Sequence, residues 1–182
     1  MKMEILIITI ISEIILIISF IISAIYPSKR IWPPPKRKSW QYMVIWIPTY
    51  ISIAGIILLT ILDWDTFIIE IPLRHLIGGI LLIGGLLFGL WGVLALGTYA
   101  SQGLKYKLVT DGPYKYSRNP QYVGDSIAIV GVILIANSLY VTITGILGII
   151  AFLLAPYAEE PWLREQYGEE YIEYCKKVRR YL

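Results

Sequence analysis

The sequence predicts an all-α, polytopic membrane bundle of about five transmembrane helices, followed by a cytoplasmic helical tail. Of its 182 residues 57% are hydrophobic, and the mean hydropathy is +0.65, too apolar for an ordinary soluble domain. The apolar residues also fall in blocks that, at about 1.5 Å per residue, approach the ~30 Å of a hydrocarbon core. The length suits one domain over residues 1–182, with three N-terminal spans in 1–97 and a more polar, aromatic half in 98–182.

Ile5 to Tyr26 is a nearly unbroken Ile/Leu run. A cleaved signal peptide competes with a retained span, but the run is long for an h-region and Glu13 interrupts it, so a span is expected. Pro27 to Lys38 contains Pro33-Pro34-Pro35 and five Lys/Arg. Consecutive prolines cannot continue a helix, so this reads as a stiff, exposed connector. Gln41 to Leu62 is the second span, with Pro48 as its expected kink, and Asp63, Asp65 and Glu70 mark an acidic loop. In the third span, Leu73 to Gly97, Gly78, Gly85, Gly89 and Gly92 share one helical face, where bare backbone permits close helix contact. No strand precedes them, so Gly85-x-x-x-Gly89 is a packing feature and not a dinucleotide fingerprint. Tyr122 to Ala136, short for a span, and Leu139 to Tyr157 flank the turn signal Asn137-Ser138 and form a tight helical hairpin. Ala158 to Leu182 reads as one or two tail helices broken near Gly168.

Fourteen of the 16 Lys/Arg lie in residues 27–43, 98–121 and the tail, which five crossings put on one side of the membrane. The positive-inside tendency makes that side the cytoplasm of a multi-pass cell-membrane protein. Trp32, Trp40, Trp46, Trp64 and Trp162 lie near segment ends, as interfacial anchors do. The net charge of +3 is thus a matter of topology and not of nucleic-acid binding. A single cysteine, Cys175, excludes an internal disulfide, and a lone His75 far from it gives no basis for a metal site.

Chemistry-bearing residues concentrate in the loop from Gln102 to Tyr122 and in Glu159-Glu160-Pro161-Trp162-Leu163, at the two ends of the hairpin. The hairpin brings those ends together, so Arg118, Tyr122 and the acidic pair can share one pocket. Carboxylates, an arginine and tyrosine faces suit a zwitterionic or cationic ligand carrying an aromatic base. Plainer readings stand beside this one. Asp111-Gly112-Pro113 is a turn, and Arg118 can bind lipid phosphate. Glu159 and Glu160 beside Pro161 can open a tail helix whose far end is basic. Glu13, inside the first span, is a costly group that faces a cavity or a partner.

Leu108 to Tyr122, then Glu159-Glu160 and Tyr167-Gly168-Glu169-Glu170-Tyr171, resemble in order and spacing the isoprenylcysteine carboxyl methyltransferase and phospholipid methyltransferase family. The resemblance implies S-adenosylmethionine bound by residues 98–182, without a soluble Rossmann domain. Gln102, Tyr106, Lys107, Leu108, Val109, Tyr114, Asn119, Pro120, Gln121 and Tyr122 would line the cofactor site, and Glu159 would hold the methionine amino group. The acceptor would be lipophilic and enter from the bilayer, with a prenylated cysteine carboxylate, a lipid amine, a small thiol and an isoprenoid all open. Arg118 would orient an anionic acceptor, and Glu160 would serve as base for an amine. Two departures stand out: Asn119 replaces the motif histidine, and Ala155-Pro156 stands where prenylcysteine enzymes are expected to carry an arginine. The rival readings are an NADPH-dependent membrane reductase of the sterol-reductase type and a non-enzymatic membrane module.

Overall fold

The computed structural model describes residues 1–67, 70, 72–104 and 107–182. Its described residues form six α-helices: α1 Lys2–Ile25, α2 Trp40–Leu62, α3 Arg74–Leu96, α4 Pro120–Ala136, α5 Leu139–Tyr167 and α6 Glu169–Lys177. Helices α1, α2, α3 and α5 are long and apolar enough to cross a bilayer. Helix α4 is also apolar, but its 17 residues reach only roughly 25 Å. The chain is a multi-pass, all-helical membrane bundle.

The turn between α4 and α5 follows from its two residues. Asn137 adopts the left-handed conformation that ends α4, at φ 46°, and the Ser138 hydroxyl accepts from the Val141 amide to cap α5. The acidic loop is spent on this end of the bundle. Asp63 accepts from Lys2, Thr66 and Ser138, while Asp65 accepts from Arg74 and Asn137. These bonds tie the start of α1, the end of α2, the start of α3 and the α4–α5 turn into one polar cap.

Small residues set the packing of α3 on α4. A Cβ on Gly124 would stand 2.4 Å from the Gly89 nitrogen, and one on Gly131 2.5 Å from the Leu82 nitrogen. The two backbones can approach this closely only without side chains at those points. Glu13 lies inside the bundle, accepting a hydrogen bond from Ser52 on α2 and lying against Gly148 on α5.

Three expectations change. Helix α5 runs on to Tyr167 through Pro156 and Pro161. Glu159 and Glu160 are therefore interior to a helix, and the dipole role at a helix start falls instead to Glu169 and Glu170 in α6. The proline connector is not simply exposed, since Trp32, Pro33 and Pro34 are buried. Nor do the tryptophans form one exposed belt. Trp40 and Trp64 are exposed, whereas Trp32 packs edge-on against Phe20 and Trp46 inside the bundle.

Candidate active site

The hairpin sets the site. Its turn lies at one end, so the start of α4 and the last third of α5 stand side by side at the other. There the Tyr122 hydroxyl of α4 donates to Glu159 Oε1 of α5, and the Tyr122 ring stacks on Phe152 with centroids 5.9 Å apart. The Trp32 indole, from the connector after α1, donates to the same oxygen at 2.6 Å. Both bonds fall on Oε1, and among the described residues nothing donates to Oε2. Glu159 is thus aimed by two separate elements, with one carboxylate oxygen left for a third partner.

Glu159 lies in the wall of a cavity bounded by the 96–122 loop, α5, α6 and Pro33. Of the residues named from the sequence, Lys107, Leu108, Val109, Tyr114, Arg118, Asn119, Gln121, Tyr122 and Glu159 line it. Gln102 does not: its side-chain oxygen accepts from the Tyr42 hydroxyl at 2.9 Å, tying the loop to α2. Pro120 is the first residue of α4 and also stands outside the wall. Tyr106 lies outside the described residues.

Glu160 faces away from the cavity, because consecutive helical positions differ by about 100°. Arg180 grips it with two bonds of 2.7 and 2.8 Å, and Arg118 and Arg164 approach to 3.3 and 3.8 Å. Its oxygens are thus occupied by three arginines and turned from the cavity wall. Its evident work is to bind the tail. Beside it the Arg118 amide donates to the Arg179 carbonyl at 2.9 Å, and the Asn119 side chain donates to the Arg180 carbonyl at 3.0 Å. Asn119 therefore fastens the tail to the loop with a hydrogen bond that needs no titrating group.

Sequence reading missed much of the aromatic lining. Trp162, Tyr167, Tyr171 and Tyr174 complete the wall. Tyr167 and Tyr171 lay within the recognised pattern but were not singled out, and Tyr174 lies just beyond it. The Tyr174 hydroxyl donates to the Tyr114 carbonyl at 2.7 Å, locking α6 to the loop. Burial, then the Glu159 charge, raises the Tyr114 hydroxyl above its ordinary range, and burial, then Glu160, does the same for Tyr171. Both remain neutral faces for a cation or an aromatic ring. Arg118, also in the wall, donates through Nη1 to Cys175 Sγ, while among the described residues its buried Nε–H has no hydrogen-bond partner.

A sequence model of the family described as phospholipid methyltransferase matches residues 73–170. The chain belongs to that family. The match runs from α3 to the start of α6 and so contains every cavity residue named above except Pro33, Tyr171 and Tyr174. Over 114 residues the chain is 32% identical to phosphatidylethanolamine N-methyltransferase B of Dictyostelium discoideum, covering 58% of this chain and 57% of that protein. The chain thus spans little more than half the length of this curated relative. No solved structure matches.

The donor set fits S-adenosylmethionine. A carboxylate with a spare oxygen suits its ammonium, an unpartnered arginine N–H suits its carboxylate, and neutral tyrosine faces suit its sulfonium and adenine. Trp32 and Pro33 lie outside the family match, yet Trp32 aims the central carboxylate and Pro33 borders the cavity.

Proposed function

We propose that this chain is an S-adenosylmethionine-dependent methyltransferase acting on the amine of a membrane phospholipid, with its site on the cytoplasmic face. The observation that carries the reading is Glu159, set in an aromatic cavity wall and aimed by Tyr122 and Trp32. Family membership and the relative's name support methyl transfer to a lipid amine over the reductase and non-enzymatic readings. The basic loops support the cytoplasmic orientation.

When bound, S-adenosylmethionine supplies an already electrophilic methyl group, so the protein chiefly has to align the acceptor and exclude water. Glu159 would hold the ammonium end through Oε2. Tyr114, Tyr122 and Tyr171 would offer ring faces to the sulfonium and adenine, with Leu108 and Val109 as apolar lining. Glu160, bound by Arg180, Arg118 and Arg164 and outside the cavity wall, is the weaker candidate for a base.

A prenylcysteine carboxylate is the weaker acceptor reading. Ala155 is fully buried against α1 and Trp32, leaving no cation at the position where an arginine was expected. The test is to incubate the purified chain with labelled S-adenosylmethionine and vesicles containing phosphatidylethanolamine, followed by mass analysis. Gain of one methyl on the amine supports the proposal. Label on a prenylcysteine ester instead would overturn the acceptor assignment.

A further inference from the structure

Helix α3 packs closely on α4 alone among the long helices, and Leu86, Leu87 and Leu90 on its other faces are exposed. The α3–α4 seam therefore borders lipid. Asp125 sits in this seam and is the one acidic residue of α4. Its Oδ1 lies against α3 where Gly89 has no side chain; a Cβ there would stand 3.2 Å away. Gln121, one turn nearer the polar end, fits over Gly92 in the same way and lines the cavity. Counting from Pro120 at about 1.5 Å per residue, Asp125 is roughly 8 Å into the helix, the depth of the headgroup–acyl boundary.

The other acids set inside the bundle have donors: Glu13 has Ser52, Glu159 has Tyr122 and Trp32, and Glu160 has its arginines. Among the described residues nothing donates to Asp125. A carboxylate at this depth is costly without a counter-charge, and intramembrane acids of this kind mark ligand paths. An anion without a donor, one turn from a cavity-lining residue and beside a seam that borders lipid, matches the ammonium of a lipid headgroup.

We propose that Asp125 binds the amino headgroup of a phospholipid entering sideways along the α3–α4 seam. The inference rests on the methyl-transfer reading above and names its acceptor site. One ammonium proton passes to Asp125, which frees the nitrogen lone pair. That pair forms the new N–C bond as the methyl–sulfur bond breaks, its electrons staying on sulfur and the charge moving to the methylated nitrogen. Asp125 then releases the proton to water.

The test titrates the detergent-solubilised full chain with phosphatidylethanolamine or phosphatidylglycerol of identical acyl chains, read by native mass spectrometry. S-adenosylmethionine binding is measured in parallel as the check on folding. The wild type is expected to prefer the amino lipid at least tenfold, Asp125→Asn to lose that preference while keeping cofactor affinity, and Asp125→Glu to keep part of it. Equal amino-lipid preference in the wild type and Asp125→Asn, or no preference in the wild type, would overturn the site. A wild type that binds no cofactor yet shows an Asp125-dependent preference would sink the methyl-transfer reading and leave the headgroup site standing.

Discussion

Tyr122 and Glu159, 37 residues apart in sequence, are joined by a hydrogen bond from the tyrosine hydroxyl to Oε1 across the two arms of the α4–α5 hairpin. The Trp32 indole makes a second bond to that oxygen. Hydrogen bonds to charged groups contribute about 1.5–3 kcal/mol each, so either donor matters to how Glu159 is held. Tyr122→Phe and Trp32→Phe are each expected to weaken S-adenosylmethionine binding by about tenfold with little loss of helicity. Calorimetric titration beside circular dichroism checks this.

Glu160 gives the opposite pattern. Removing one partner of a buried ion pair typically costs about 3–5 kcal/mol, and partial exposure of Arg180 places this cluster toward the lower end. Glu160→Gln is expected to lower the unfolding temperature and loosen the tail. Limited proteolysis should then cut near residue 180. Cofactor affinity, measured below the new transition, should change far less than in Glu159→Gln.

The glycine seam separates two kinds of glycine on one helix. A Cβ on Gly85 would meet the Gly124 carbonyl oxygen at 2.5 Å, whereas one on Gly84 meets nothing within 4 Å. Backbone cannot yield as a side chain can, so Gly85→Ala should destabilise the bundle by about 1–3 kcal/mol. Gly84→Ala should be neutral or slightly stabilising. Thermal unfolding of the two variants in one detergent distinguishes them.

At the far end of the bundle, pH reads out the polar cap. Partial burial pushes the Asp63 carboxyl upward, but the bonds from Ser138, Thr66 and Lys2 outweigh it and hold it below the ordinary aspartate value. The Asn137 bond, then Arg74, lowers Asp65 against partial desolvation. A depressed folded-state value means stability that is present above the unfolded pKa and lost as pH falls through the folded one. Unfolding temperature should fall below about pH 4, and Asp63→Asn should flatten that slope.

Hydropathy made the helices legible, since each long apolar block crosses as one element, and the Asn137-Ser138 turn was readable from its residue types. Motif spacing placed Tyr122 and Glu159 together. Three features were hidden for physical reasons. Trp32 reaches Glu159 across 127 residues, a contact that no local pattern encodes. The adjacent acids look equivalent in sequence, but a 100° helical step sends one to the cavity and the other to the arginines. Pro156 and Pro161 signal a break, yet α5 continues through both, carrying Glu159 on a rigid helix that extends from the span.

The most direct test of the central claim is equilibrium binding of labelled S-adenosylmethionine to the purified wild type and to Glu159→Gln, with NADPH as competitor. Binding by the wild type, at least a tenfold loss in the variant and no displacement by NADPH is the result this site predicts. Binding that is indifferent to Glu159, or displaced by NADPH, would contradict it.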